Sequence, residues 1–311
     1  MTNRHKTLPH ALTLNELLPP AQQGGYAVAA FSARYRACVR PVLQAAVDLR
    51  SPVIIEISQR ELGWFGLSPR DFRDAVEQAV QDLGSTVPLC LHLDHSWEDQ
   101  VIHAAIEAGF TSVMIDASAQ PFEDNIRQTR EIVDYAHARG VSVEAELGKL
   151  TTTDQLETDG DEALYTVPEE ALEFVERTGC DVLAVSIGTA HGVYQVANPK
   201  IDFDRLAAIR RLLPETLLVL HGGSGLPAET VHRAIELPGG GISKMNIATD
   251  LEQALLAAMG GLGRMTSAEL DAQDPALRMR GLNAVYAEAC DKIQNFVRSA
   301  GRSDSAALPA S

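Results

Sequence analysis

Eight short apolar runs, each nearly unbroken and each followed by a longer segment of helical periodicity, constrain this chain more than any other feature. The runs are Tyr26–Phe31, Pro52–Ile57, Pro88–Leu93, Ser112–Ile115, Ser142–Ala145, Val182–Ser186, Leu217–Leu220 and Ile242–Asn246. Their lengths suit strands, and their lack of polar alternation suits strands covered on both faces, as in a parallel sheet. Between them lie the amphipathic stretches Ala37–Leu49, Pro69–Leu83, Trp97–Ala108, Pro121–Ala138, Pro168–Thr178, Asp202–Leu213 and Ala228–Leu237. Ser68-Pro69 and Val167-Pro168-Glu169-Glu170 carry helix-start signals. Gly109, Gly140 and Gly179 follow helices, where a left-handed cap is wanted. Eight βα units in series predict an α/β fold, a single (β/α)8 barrel, with a doubly wound sheet as the lesser alternative. Asp250–Met259 and Met279–Ser299 predict extra C-terminal helices. No linker divides residues 1–311, so one domain is expected, with flexible ends at 1–10 and 301–311.

Composition narrows the partners. Acidic side chains outnumber Lys and Arg by 42 to 26, a formal charge of −16. Such a surface repels nucleic-acid phosphates and anionic lipids, so neither nucleic acid nor membrane is an expected partner. Positive potential for an anionic substrate must then be local, from a metal or converging backbone N–H groups. The 4 cysteines, Cys38, Cys90, Cys180 and Cys290, show no C-x-x-C spacing, which fits reduced thiols. Met1–Leu8 is polar and basic without a signal-peptide core, and no apolar run reaches the length of a membrane span. A soluble cytoplasmic protein is expected.

In (β/α)8 barrels chemistry gathers at the C-terminal strand ends, and the least ordinary residues fall there. Strand three runs into Leu93-Asp94-His95, strand four into Ile115-Asp116 and strand five into Glu144-Ala145-Glu146. Strand six leads to Gly188-Thr189-Ala190-His191-Gly192, strand seven to His221-Gly222-Gly223-Ser224-Gly225, and strand eight to Lys244–Asp250. One strand-end histidine would ordinarily satisfy a core hydrogen bond. Three of them, from strands three, six and seven, with Asp94 beside one, point instead to a catalytic zinc held by three imidazoles with one position open. The other histidines read as structural, and His92, alternating with the metal candidates, is expected to face the other way. The glycine-rich turns and the helix start after Asn246 suit a phosphate. Asp94 could exchange a proton with a substrate hydroxyl or orient a histidine. Asp116 and Glu146 could take a second cation or an alternate metal position, or form salt bridges inside the rim.

Taken in order, Leu91-His92-Leu93-Asp94-His95, Val113-Met114-Ile115-Asp116, Val143-Glu144-Ala145-Glu146-Leu147-Gly148, Gly188-Thr189-Ala190-His191-Gly192, Val219–Gly225 and Asn246-Ile247-Ala248-Thr249 resemble the class II ketose-bisphosphate aldolases. That family includes the fructose-1,6-bisphosphate and tagatose-1,6-bisphosphate aldolases, and the resemblance covers roughly residues 10–300. It implies zinc-dependent retro-aldol cleavage of a phosphorylated ketose to dihydroxyacetone phosphate and an aldehyde phosphate, within carbohydrate metabolism such as glycolysis. It implies His95, His191 and His221 as zinc ligands and Asp94 as the acid exchanging a proton with the C4 hydroxyl. Asp116 and Glu146 would serve an alternate or second cation, divalent or monovalent. Gly192, Gly222, Gly223, Ser224, Asn246, Ile247, Ala248 and Thr249 would hold the dihydroxyacetone phosphate portion. A homodimer or homotetramer is implied as well.

The chain also departs from the pattern. The paired glycines after Leu147-Gly148, followed in the family by a Glu on a mobile loop, are replaced by Lys149-Leu150-Thr151-Thr152-Thr153-Asp154-Gln155. Asp154 therefore stands where the second proton-transfer acid is expected, with Glu157 or Asp159 as substitutes. Gln195 replaces a lysine, Phe31-Ser32-Ala33-Arg34-Tyr35 lacks the expected Asn, and Ala276-Leu277-Arg278 replaces a basic residue after Asp274-Pro275. Arg60, at the end of strand two, or Arg278 is expected as a replacement cation for the distal phosphate, with ordinary surface charge as the alternative for each. His191–Tyr194, Pro199–Phe203 and Asn246–Thr249 lean to the tagatose-type branch. Competing expectations are an aldolase for a different phosphorylated ketose, a weakly active regulatory or assembly subunit, and a metal-free barrel binding a phosphorylated ligand.

Overall fold

The computed structural model describes Leu8 and residues 11–148, 164–190 and 200–305, with the backbone alone at 151–152 and at His191. Eight parallel strands form its centre: β1 (Val28–Ser32), β2 (Val53–Ser58), β3 (Leu89–Ser96), β4 (Ser112–Ile115), β5 (Ser142–Leu147), β6 (Val182–Val185), β7 (Leu217–Leu220) and β8 (Ile242–Ile247). They close in the order β1-β8-β7-β6-β5-β4-β3-β2, so the doubly wound alternative does not apply. Every expected strand is present, with ends moved by a few residues. A two-residue pair, Thr151–Thr152 with Ala190–His191, lies apart from the barrel sheet.

The expected helices are α3 (Val39–Asp48), α5 (Pro69–Leu83), α6 (Asp99–Ala108), α7 (Phe122–His137), α8 (Pro168–Thr178), α9 (Phe203–Leu212), α10 (Ala228–Ile235), α11 (Thr249–Ala258) and α13 (Pro275–Asp291). Four short ones were not foreseen: α1 (Leu14–Leu17), α2 (Pro19–Gly24), α4 (Gln59–Phe65) and α12 (Ser267–Asp271). Local chemistry sets their limits. At α5 the Ser68 Oγ accepts from the Asp71 N–H (3.2 Å), Asp71 Oδ2 accepts from the Ser68 N–H (2.9 Å), Pro69 opens the first turn, and left-handed Gly84 ends the helix. Its buried stripe, Phe72, Val76 and Ala79, joins outward strand residues such as Ile55, Leu91 and Val113 in one continuous core.

Inside the barrel the N-terminal end is apolar. Val28, Ile54, Cys90, Val182 and Leu217 pack against Leu14, Leu17, Leu18 and Tyr26, so α1 and α2 plug that mouth. The plug is pinned by Leu12 N–H to Leu89 O (2.7 Å) and by Leu14 N–H to Ser142 Oγ (3.0 Å).

The C-terminal helix begins earlier than expected, at Pro275, with Asp274 Oδ1 accepting from the Leu277 N–H (2.9 Å). It passes into a π-helical turn at Lys292–Phe296. Residues 301–305, expected to be flexible, are tied down. Gly301 N–H donates to Leu49 O (2.8 Å), Ser303 N–H to Arg50 O (2.8 Å), and Arg50 pairs with Asp304 (2.6 Å). The expectations for 1–7 and 306–311 lie outside the described residues. Among the described residues no helix is long and apolar enough to cross a membrane.

Candidate metal and active site

Toward the C-terminal end the same strands turn polar side chains inward. Ile54 gives way to Glu56, Cys90 to His92 and Asp94, and Ser142 to Glu144 and Glu146. His221 follows β7, and Lys244 and Asn246 lie on β8. Lys244 Nζ sits 3.4 Å from Glu56 Oε2 and 3.0 Å from Glu144 Oε2, fully buried. Glu144 Oε1 takes His221 Nε2 (2.8 Å), and Glu146 Oε2 takes His221 Nδ1 (3.0 Å). Asp116 Oδ2 lies 2.9 Å from His95 Nδ1, and Asn246 Nδ2 donates to Asp94 Oδ1 (2.9 Å).

A bulge in β3 brings Asp94 and His95 to one place. Leu93 is registered against Val113, but Ser96 is registered against Ile115, so β3 spends three residues where β4 spends two. His95 takes up the excess with φ 31, a left-handed conformation that a non-glycine residue adopts at some cost. Its ring reaches within 4.5 Å, centroid to centroid, of His221. This corrects the expected orientation of His92. With regular alternation up to Asp94, His92 shares the inward face, its Nε2 3.5 Å from Glu144 Oε2 and its Nδ1 2.9 Å from Ser112 Oγ.

Burial and ionic contacts decide the protonation pattern. Burial and Asp94 push Glu56 up to about 8, against the pull of Lys244. Burial also opposes the charge of Glu144, but Lys244 and His221 outweigh it and hold this carboxyl well below the usual range. Burial and Lys244 push His92 down to about 3, so it is neutral. Burial and His95 disfavour the charged form of His221, yet its hydrogen bonds to Glu144 and Glu146 hold it up at about 9. Asp94 is kept ionised, because His95 and Lys244 outweigh its burial.

Among the described residues, three groups of donors are close enough to share a cation. Asp94, His95 and His221 offer atoms within 4.8 Å of one another, as do His95, Asp116 and Glu146, and also Glu56, His92 and Asp94. In the third group the Lys244 ammonium, against Glu56, already supplies the positive charge. The first two share His95 and join through Glu146, 3.9 Å from His95 Nδ1 and bonded to His221. Imidazole nitrogens flanked by carboxylates suit zinc and other borderline divalent ions. His191 lies on a two-residue strand beside the rim, its side chain outside the described residues, as are Gly192 and Asp154.

The glycine turn after β7 meets the start of α11. Gly222 is left-handed, and a Cβ there would collide with Ala190 O; a Cβ on Gly223 would lie 2.5 Å from Met245 Sδ. Ser224 Oγ accepts from the N–H groups of Ala248 (3.2 Å) and Asp250 (3.3 Å). Gly223, Ser224, Asn246, Ala248 and the first α11 residue, Thr249, thus form one continuous rim, with Ile247 buried beneath it. Of the two proposed distal cations, Arg278 is tied to α12 through Asp271 O, and Arg60 stands on the rim.

Glu56, Glu144 and Lys244 are not among the site residues expected from the sequence. Each is a charge inside an otherwise apolar parallel strand, where nothing but another inward charge can face it. That is the signal that could have found them.

Known proteins share this architecture. The class II fructose-bisphosphate aldolase family matches residues 12–302. A fructose-bisphosphate aldolase from Geobacillus stearothermophilus is 39% identical over 296 residues, covering 92% of this chain and 96% of that protein. The crystal structure of the YdjI aldolase from Escherichia coli K12 superposes with a TM-score of 0.76 at 35% identity, covering 94% of this chain and 99% of that one. A putative fructose-1,6-bisphosphate aldolase from Coccidioides immitis gives 0.74 at 28% identity, covering 93% and 96%. With these matches, the barrel and its rim of inward-facing histidines and carboxylates belong to an aldolase scaffold, and the chain is a lyase by family. The chain belongs to the class II fructose-bisphosphate aldolase family.

Proposed function

We propose that the chain cleaves a ketose 1,6-bisphosphate of tagatose or fructose type to dihydroxyacetone phosphate and an aldehyde phosphate, with zinc as its metal. The observation carrying this reading is the convergence of Asp94, His95 and His221 within 4.8 Å at the ends of β3 and β7. His95, His221 and His191 would hold the ion, and Asp116 and Glu146 would offer an alternate or second cation position. Bound there, a divalent cation supplies Lewis acidity toward the substrate's carbonyl oxygen. Asp94, ionised and oriented by Asn246, accepts the C4 hydroxyl proton as the C3–C4 bond breaks. Glu144 and Glu146 reach opposite nitrogens of the His221 ring, so with an ion on one nitrogen the carboxylate at the other would keep the ring oriented. Gly192, the Gly222–Ser224 turn and the start of α11 grip the phosphate and hold the reacting carbons in register. Asp154 returns the second proton, to the dihydroxyacetone phosphate carbon. A homodimer or homotetramer in the cytoplasm belongs to the same reading; the free Cys38, Cys90, Cys180 and Cys290 fit a reducing compartment.

The test is a cleavage screen over fructose, tagatose and related ketose phosphates, reading dihydroxyacetone phosphate, with metal content measured on the same sample. Chelation should abolish cleavage and zinc restore it, and His221→Ala should lose metal and activity together. Full activity in chelator would overturn the reading. A metal-loaded protein that cleaves none of these ketoses would favour the regulatory-subunit alternative.

A further inference from the structure

The rim beside Asp94 carries a group that the chemistry above does not use. Trp64 and Trp97 are the chain's 2 tryptophans, and they are 48% and 46% exposed. The Arg60 guanidinium lies near both, its Cζ 5.7 Å from the Trp64 ring and 5.8 Å from the Trp97 ring. Trp97 comes directly after Ser96, the last residue of β3. Arg60 comes two residues after Ser58, the β2 residue registered against Asp94. The cluster therefore stands on the catalytic rim, between the ends of β2 and β3.

Its support is rigid. Gln59 Oε1 accepts from the N–H groups of Trp97 (3.0 Å) and Glu98 (3.1 Å), joining the two strand ends. Ser58 and Glu61 cap α4 reciprocally, at 3.2 and 3.0 Å. Glu61 also pairs with Arg34 (2.6 Å), and Phe65 is buried edge-on against Tyr35, centroids 4.6 Å apart. With Glu61, Leu62 and Phe65 buried, α4 presents Arg60 and Trp64, one turn apart, to solvent. Arg264, on Trp64 at 4.9 Å, is committed to Glu252 through two hydrogen bonds of 2.9 and 2.7 Å. Arg60 has no such commitment: among the described residues, no carboxylate lies within salt-bridge distance of it.

On a chain of charge −16, an arginine held against aromatic rings and left without an acid is a place for a ligand's negative charge. Its planar fork fits the oxygens of a phosphate or carboxylate, and indole faces accept the C–H groups of a short carbon chain. We infer that Arg60, Trp64 and Trp97 form the subsite that selects the ketose by the oxyanion at the end of its aldehyde-bearing half, an inference that rests on the aldolase reading above.

Because these are the only tryptophans, fluorescence excited selectively at tryptophan reports on this cluster alone. Titrating the metal-loaded protein with glyceraldehyde 3-phosphate should give a saturable change that neutral glyceraldehyde does not give and that Arg60→Gln loses. In parallel, kcat/KM is measured on three ketose 1-phosphates ending in a phosphate, a carboxylate or a hydroxymethyl group. Arg60→Gln should lose about 10- to 100-fold on an anionic substrate and under about threefold on the neutral one. Arg60→Lys should recover part of the loss, since it keeps the charge without the fork. A selective loss on the phosphate or on the carboxylate identifies which oxyanion the subsite takes. Equal loss on all three substrates, or none, overturns the subsite and leaves the aldolase reading intact. Failure of the wild-type protein to cleave any of the three overturns both.

Discussion

At the N-terminal end of the barrel, Val28, Ile54, Cys90, Val182 and Leu217 close the interior against Leu14, Leu17 and Tyr26; two residues further along β2 and β3, Glu56 and His92 take the place of Ile54 and Cys90. The strands are the same, and so is the covering of helices. The apolar end gains free energy by removing surface from water, about 25 cal/mol per Å². The ionic end must recover a desolvation penalty of several kcal/mol per charge, and a well-packed apolar replacement is often the more stable choice. One end thus holds the barrel together, and the other keeps charges in place at a cost in stability. The comparison teaches that stability and chemistry are separated along the barrel axis, within single strands.

The sharpest way to break this comparison is at Asp94. Asp94→Asn should retain metal and unfold at the wild-type denaturant midpoint, yet lose about 10²- to 10⁴-fold in turnover. A variant that turned over normally would remove Asp94 from the proton transfer. Next comes Lys244→Met, which leaves Glu56 and Glu144 facing one another inside the barrel without their shared cation. Urea unfolding should show a loss of about 3–5 kcal/mol, and turnover should fall as well because Glu144 also holds His221. Unchanged stability would mean that Lys244, Glu56 and Glu144 do not depend on one another. At the opposite end, Leu17→Ala should cost about 2–5 kcal/mol by opening a cavity in the plug. Activity per folded molecule should be unchanged, and a fall in kcat at full folding would show that the two ends are not independent.

The barrel was legible because its strands are covered on both sides, so runs such as Val53–Ile57 and Leu217–Leu220 stand out as unbroken apolar segments. The helices of eight residues or more announced themselves by period. α1, α2, α4 and α12 did not, since four to seven residues give too few turns for a periodic stripe. Even so, Ser58 and Glu61 carry the S-x-x-E spacing of a capping box, which could have marked the start of α4. Within the site, Asp94, His95, His221, Asp116 and Glu146 were readable from their positions at strand ends, and the structure brings them together. The direction of His92 was not readable, because it was inferred from an alternation that the bulge at His95 interrupts. Glu56 was overlooked because its partners, Lys244 and Ser32, come from other strands and no local spacing links them.

The extra residue in β3 has a consequence for anyone who would transplant this centre. Copying Asp94 and His95 onto an evenly pleated strand of another (β/α)8 scaffold would send one of the pair outward, beneath the surrounding helices. The backbone irregularity has to travel with the side chains, since adjacency along the chain becomes adjacency in space only where the pleat skips a beat.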